Sequence, residues 1–452
     1  MPNTLYLPEL REMLAENDSA ALEEFCTALH PARTAEFMDG LTGQEAWEVL
    51  RHAELGLRVE IFNFFDREKQ IEIVETQDRE EIAEFIGELP PDDRVDLLSE
   101  VRPWIVEQLM PLIASDERRD IQRLSQFPEG TAGAIMTTAF ARLSEDLSVD
   151  EVKDVIQQQA EDLETIYYLY VVDREDHLRG LISFRQVVMG QPGTTVGELM
   201  ERDIVTVNML DDQEAVADKV ARYDLLAIPV VDDEHRLVGI ITHDDIIDVM
   251  REEATEDAHM IGGVAPLEQG YLETALLTLT WKRGIWLTVL FFGALLTAFA
   301  LDQYEGFIHS ITWLVLFVPL VISTGGNSGN QSATLVITGL STGDIELGDW
   351  WRVVWRELVL GLLLGGALGA VGFLCALVVA PTPLAAAVIP ITLILVVICG
   401  TLLGSLLPLL FSRLGLDPAM MSNPFVAGLI DVIGIVIYMK VGIFLLGMSA
   451  AA

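Results

Sequence analysis

Asp431 is the residue of this chain that most demands a chemical explanation. It lies in MSNPFVAGLIDVIGIVIYM, Met421 to Met439, a stretch that is otherwise almost wholly apolar. A carboxylate at that depth in a bilayer costs several kcal/mol, so it normally marks an ion path or a proton relay. Lys440 is no obvious partner, because nine residues along a helix bring it to roughly the opposite face. The nearby sequence offers further oxygen donors: Asp417, Asn423 and the pair Asn327 and Asn330. Sulfur and imidazole are missing from this set. Hard oxygen ligands suit Mg²⁺ or Ca²⁺ better than zinc or copper. Mg²⁺ gives up its waters reluctantly, so one carboxylate could hold it through its hydration shell. Two other readings stay open: a neutral, protonated Asp431 bonded to an amide, and a proton or sodium coupling site.

The elements that must position these groups are apolar segments. Five are long enough to span a bilayer, near 276–301, 311–340, 354–380, 385–411 and 424–448. Lys282 and Arg283, then Arg352 and Arg356, then Arg413 flank alternate ends, whereas DQYEGFIHS and APTPLA carry no Lys or Arg. Basic residues prefer the inner face, so the N-terminus is expected inside and the C-terminus outside. With Pro424 as the first helical residue, Asp431 lies about 10 Å along the last helix. The second segment has a polar centre, LVISTGGNSGNQSATLVITGL. Its Gly and amide residues predict a loosened, irregular helix whose carbonyl and amide oxygens line a pore, since such backbone survives at membrane depth only inside protein or beside water. The alternative is a close helix contact through the GxxxG of Gly325 and Gly329. Gly361, Gly365 and Gly369 read as a packing stripe.

Charge divides the chain in two. The formal net charge is −41. From Tyr271 onward there are 9 acids and 6 bases, which leaves 60 acids (69 less 9) against 22 bases (28 less 6) before it. So acidic a half repels nucleic acid and suits cations, although solubility alone is a sufficient reason for such a surface. Cys26, Cys375 and Cys399 form neither a disulfide framework nor a CxxC metal site. The N-terminal MPNTLYLPELREML lacks a basic region followed by an apolar core, so no signal peptide is expected and the acidic half is expected in the cytoplasm. HExxH, Gly-x-Ser-x-Gly and phosphate-loop motifs are absent, which argues against an enzyme.

Two internal repeats organise the acidic half. Leu29, Leu41, Ala53, Phe65, Gln77, Leu89 and Val101 recur at multiples of twelve between short amphipathic stretches such as TGQEAWEVL, the pattern of a helical solenoid. Between 134 and 250, YLYVVDREDHLRGLISFRQV matches LAIPVVDDEHRLVGIITHDDI, with Val171-Val172-Asp173 against Val230-Val231-Asp232 and Gly180 against Gly239. Each copy reads strand–helix–strand–turn–strand–helix and resembles the cystathionine-beta-synthase (CBS) module. Paired CBS modules often bind adenine nucleotides through a Ser/Thr followed three residues later by Asp. Thr242 and Asp245 fit this, whereas Ser183 is followed by Gln186. Tyr168, Arg185 and Asp244 are the further candidates for such a ligand. The sequence then runs into HDDIIDVMREEATEDAHMIGGV, where Asp244, Asp248 and Glu252 repeat at four, as do Glu253 and Asp257. Like charges at that spacing destabilise a helix unless a cation lies between them. A solvated acidic linker helix is the plainer alternative.

The order of these parts resembles the MgtE family of magnesium channels and transporters along nearly the whole chain. STGGNSGNQSAT, DPAMMSNP and LIDVIGIVIY carry the resemblance. It implies a multidomain chain: an α-helical solenoid (1–128), an α/β CBS pair (129–192 and 193–250), an acidic connecting, or plug, helix (251–270), and an all-α polytopic membrane domain of five helices (271–452). It implies a homodimer in the lipid bilayer of the cytoplasmic (inner) membrane, with the pore between subunits. The ion-binding carboxylate would be Asp431, with Asn423 and Ala427 beside it and Asp417 in the preceding loop. Cytosolic Mg²⁺ would close the pore through Glu60, Asp92, Asp96, Glu214, Asp224, Asp245, Asp248, Glu253, Glu256 and Asp257. The expected activity is Mg²⁺ transport under negative feedback, with Mg²⁺ as cargo and effector, ATP as a candidate ligand of the CBS pair, and no nucleic-acid partner. A carrier of Mn²⁺, Co²⁺ or Ca²⁺ and a non-transporting nucleotide sensor are the rivals.

Overall fold

The computed structural model describes residues 6–159, 163–267, 270–272, 274–420 and 423–446. Met421, Ser422 and the expected end of the fifth segment at 447–448 lie outside the described residues. The chain divides into two compact units, Met1–Met250 and Arg251–Ala452.

The first unit opens with short helices of seven to ten residues, from Leu7–Glu16 to Ser115–Leu124. Their starts are written locally. Asp18, Asp66 and Asp78 accept N-terminal amides, Thr42 and Glu45 form a capping box, and Pro31, Pro91 and Pro103 occupy first-turn positions. The twelve-residue repeat is one such helix plus its turn: Leu29, Gln77 and Val101 are C-caps, and Leu41, Ala53, Phe65 and Leu89 follow within three residues of a helix end. Buried and half-buried bases stitch the helices together. Lys69 Nζ donates to Met38 O and Asp39 O, Arg58 to Leu50 O and Ala53 O, and Arg94 to Ile86 O, Gly87 O and Leu89 O. Each satisfies carbonyls that a helix end leaves without partners.

The two repeat copies form three-stranded sheets: β1 (Arg142–Leu143), β2 (Tyr168–Val172) and β3 (Leu178–Ser183), then β4 (Val207–Asn208), β5 (Ala227–Val231) and β6 (Leu237–Thr242). In both, the first pair is parallel and the second antiparallel. Val171 faces Gly180 and Val230 faces Gly239, and both copies bulge at the next residue, as the alignment requires. Bridges from Thr137 to Ile240 and from Leu181 to Glu201 tie each sheet to a segment outside its own strands.

The acidic connector is one helix, α1 (His243–Ile261). The second unit continues with α2 (Leu276–Asp302), α3 (Val318–Ser341), α4 (Trp350–Val379), α5 (Val388–Arg413) and α6 (Asn423–Leu446). Among the described residues, four segments are long and apolar enough to cross a membrane: Leu276–Asp302, Leu347–Val379, Pro383–Arg413 and Asn423–Leu446. The fifth expected span is α3, whose length suffices but whose centre is polar. Its course corrects the sequence reading. The Gly/Asn stretch is continuous helix, because the glycines admit neighbouring helices instead of loosening their own. A Cβ on Gly325 would meet Val396 Cγ1 at 2.5 Å, and one on Gly400 would meet Gly325 O at 2.6 Å. The close-packing alternative therefore holds for Gly325 and Gly329. The stripe Gly361, Gly365 and Gly369 does the same for α4 against Ile398, Ile394 and Pro390 of α5. Because backbone cannot yield as a side-chain tip can, Gly400→Ala should destabilise the unit by about 1–3 kcal/mol. Thermal unfolding of the purified variant checks this, and an unchanged midpoint would refute it.

Candidate cation sites

The first site lies between α3 and α6. Asn423, Ala427 and Asp431 fall at i, i+4 and i+8 and so share one face of α6. Gly326, Asn330 and Thr334 share a face of α3 in the same way. The two faces meet. Asn423 Nδ2 donates to Thr334 Oγ1 at 3.1 Å, and Asn330, with its amide turned so that the nitrogen faces these acceptors, donates to Asn423 O at 2.6 Å and Gly326 O at 3.3 Å. A Cβ on Gly326 would stand 3.3 Å from Ala427 Cβ and 3.7 Å from Asp431 Oδ1. The missing side chain thus keeps α3 backbone against the carboxylate. Asp431 itself is half-buried and has neither a hydrogen bond nor an ion pair among the described residues. Lys440 is exposed. Asn327 is exposed and donates to Ser323 Oγ at 3.3 Å, so it stands beside this face and not in its hydrogen bonds.

A second group lies at the far end of α1. Glu256 and Asp257 face Asp417, whose Oδ1 accepts from Ala419 N at 2.7 Å. Desolvation and mutual repulsion, with Glu253 and Asp417 contributing, raise the pKa of Glu256. Desolvation first and Asp417 second raise that of Asp257, against a 3.0 Å hydrogen bond from Ser341 Oγ. The connector's acids and the loop before α6 thus crowd one place, where a cation would relieve them.

A third group lies inside the first unit. Asp92 is only 8% exposed, and its Oδ1 has no hydrogen-bond partner. Burial raises its pKa strongly, helped by Asp245, Asp93 and Glu164. Burial likewise pushes Asp93 up to about 6, with Asp96 adding to it, and Glu164 up to about 7, with Asp245, Asp93 and Asp244 adding to it. Asp245 is raised by burial and by Asp244 and Asp93, although Thr242 Oγ1 donates to it at 2.5 Å. Four carboxyls, those of Asp92, Asp93, Glu164 and Asp245, therefore share a poorly solvated space. No group of three or more His, Cys, Asp or Glu side chains converges tightly enough among the described residues to cage a bare ion. That geometry fits a hydrated cation bridging pairs. Glu60, Glu214, Asp224 and Asp248 are exposed, as is Asp96, which adds to the repulsion on Asp93.

The stretch LPPDDRVDLL offers Asp93 as an alternative to Asp92, whereas Glu164 escaped the sequence reading. Glu164 carries no motif. In the CBS pair the two signature positions make local bonds: Ser183 donates to the Gln186 amide oxygen in a helix capping box, and Thr242 donates to the Asp245 carboxylate. Tyr168 pairs with Ser183 across β2 and β3, and Arg185 is exposed just beyond it.

The divalent cation transporter model MgtE matches residues 318–441, the MgtE intracellular N domain matches 29–130, and CBS domains match 132–191 and 196–252. The magnesium transporter MgtE of Thermus thermophilus is 38% identical over 97% of this chain and 98% of its own length. The chain belongs to the MgtE family. The MgtE protein of Bacillus subtilis is 30% identical over 82% of each chain. Two solved structures resemble the soluble part. One is the soluble part of a magnesium transporter, with TM-score 0.52 and 31% identity, covering 55% of this chain and 97% of that one. The other is the cytosolic domain of the Mg²⁺ channel MgtE in complex with ATP, with TM-score 0.50 and 36% identity over 53% and 98%. An MgtE family member is a transporter and not an enzyme, in keeping with the absence of catalytic motifs.

Proposed function

We propose that the chain is a Mg²⁺ channel or facilitative transporter whose pathway passes Asp431 and which cytosolic Mg²⁺ closes. One observation carries the reading: a half-buried carboxylate without a countercharge, on a helix face shared with Asn423 and set against the Asn330 edge of α3. The passing ion is the countercharge. Held through its waters, Mg²⁺ needs one carboxylate per subunit and neighbouring amide and carbonyl oxygens, so a homodimer with its pathway between subunits suits this donor set.

Closure follows from the other two acidic groups. At low Mg²⁺ the carboxylates around Asp92 and Asp245, and those of Glu253, Glu256 and Asp257 against Asp417, repel one another. At high Mg²⁺ bridging ions hold them together. A state that binds more Mg²⁺ becomes more populated as Mg²⁺ rises, which is feedback by differential binding. The soluble parts then face the cytoplasm and α3 is the fifth span, with the C-terminus outside. ATP is a further ligand of the CBS pair, near Tyr168, Arg185 and Asp244, a reading supported by the relative crystallised with it.

The test is flux into liposomes that hold a Mg²⁺-sensitive dye. Uptake should proceed at micromolar Mg²⁺ on the regulatory face and stop at millimolar Mg²⁺. Uptake of Mn²⁺ or Ca²⁺ in place of Mg²⁺ would shift the cargo to another divalent ion. Absence of all flux would favour a nucleotide sensor.

A further inference from the structure

Asp431 is not the only carboxylate held within the helices of the second unit. Glu357, about two turns into α4, is 7% exposed. Its described side-chain partner is a hydroxyl and not a cation: Ser332 Oγ of α3 donates to Oε2 at 2.6 Å, and Ser332 is itself 4% exposed. The distance is that of a charge-assisted O–H···O bond. The backbone oxygen of Glu357 also accepts from Thr401 Oγ1 of α5 at 3.1 Å. One turn on, a Cβ at Gly361 would stand 2.8 Å from that same Thr401 Oγ1. Glu357 is thus the point at which α3, α4 and α5 are tied by polar bonds.

The place of Ser332 on α3 gives this tie a consequence. Two residues along a helix turn it by about 200°, so Ser332 points away from Asn330 on one side and from Thr334 on the other. Those two face α6 and bond to Asn423. The helix is therefore held from opposite flanks, by Asn423 in front and by Glu357 behind. Apolar and glycine contacts between the flanks permit small rotations, whereas a short hydrogen bond to a buried carboxyl does not. We propose that Glu357 is a positioning residue for permeation, fixing the rotation of α3 so that Gly326 and Asn330 stay against the Asp431 face. The proposal rests on the reading that Asp431 lines the ion path.

Its test compares Glu357→Gln, Glu357→Ala, Ser332→Ala and Ser332→Thr in the full chain reconstituted in liposomes. The maximal rate, the half-saturating Mg²⁺ concentration and the preference for Mg²⁺ over Mn²⁺ are read together, with Asp431→Asn in parallel. Glutamine still accepts from Ser332, and threonine still donates. Both variants should stay within about threefold of wild type, while Glu357→Ala and Ser332→Ala raise the half-saturating concentration about tenfold and blunt the preference. Equal impairment by Gln and Ala would overturn the proposal, because charge and not position would then matter. So would alanine variants that lower only the maximal rate, in step with the amount of folded protein. Full flux in Asp431→Asn would remove the ion path that the proposal serves. Loss of flux there with indifferent Glu357 variants would overturn the proposal alone.

Discussion

Asp431→Ala should lower Mg²⁺ uptake by about 100-fold, equivalent to about 2.8 kcal/mol of lost ion stabilisation. That magnitude follows from where the carboxylate stands. In the hydrated parts of a protein one negative charge attracts a divalent ion weakly, because water screens it. Half-buried between α3 and α6, Asp431 acts in a poorer solvent, and no Lys or Arg answers it among the described residues. Asp431→Asn keeps the shape and one oxygen and should fall almost as far, because charge and not hydrogen bonding is what the ion uses. The same physics predicts the opposite sign for stability. An unpaired carboxylate in that place opposes folding, so both variants should unfold at the wild-type temperature or above it, the usual exchange of stability for function. Flux and thermal unfolding on one preparation separate this from misfolding. Wild-type flux in either variant would remove Asp431 from the mechanism.

The contrast with the glycine positions sharpens the point. Gly400→Ala is expected to damage the fold and, with it, every activity of the protein. Asp431→Asn is expected to damage flux and leave the fold alone. Residues that build the helix contacts and residues that serve the ion are interleaved on α3: Gly325 and Gly329 pack against both α5 and α6 and Ser332 bonds to α4, while Gly326, Asn330 and Thr334 stand against the Asn423–Asp431 face of α6. One helix therefore does both tasks, which explains why its sequence is too polar for an ordinary span.

That interleaving also marks where sequence reading stopped. The alternation of short helices was legible because a helix of about ten residues and its turn fix the spacing of Leu41, Ala53, Phe65 and Leu89 on the core side. The CBS copies were legible because a bulge and a cross-strand glycine recur in register. Asp431 was legible as a charge without a reason. The state of 325–331 was not: glycine and asparagine disfavour a helix by their own propensities, and only the close approach of α5 and α6 reverses that preference. Glu357 was passed over because it lies near the end of an apolar segment, where a carboxylate can reach water. Its burial depends on Ser332, twenty-five residues earlier. Glu164 gains its raised pKa from burial first and then from Asp245 and Asp93, both distant in sequence.

Those three residues, with Asp92, set the last expectation. In the folded first unit their carboxyls titrate above their ordinary range, near 7 for Glu164 and near 6 for Asp93. In the unfolded chain they titrate near 4. The folded form therefore holds extra protons between these values. Its stability is fullest below the unfolded values, as far as these groups are concerned, and declines as pH rises through 6 to 7. Without Mg²⁺ the chain should thus unfold at a lower temperature at pH 8 than at pH 5.5. A cation between the carboxylates does the work of those protons, so millimolar Mg²⁺ should restore the midpoint at pH 8 and do little at pH 5.5. Asp92→Asn removes one charge from the crowd while keeping its shape. The variant should gain stability at pH 8, by about 2–4 °C for each kcal/mol of relief. Its pH dependence should flatten, and it should need about tenfold more Mg²⁺ to stop flux, because one arm of the bridge is gone. These effects belong together: a variant stabilised without Mg²⁺ has lost the repulsion that Mg²⁺ binding relieves. An unfolding profile as steep in pH as the wild type's would show that Asp92 is not part of the repelling group. A stabilised variant that still closes at the wild-type Mg²⁺ concentration would separate the repulsion from the gate.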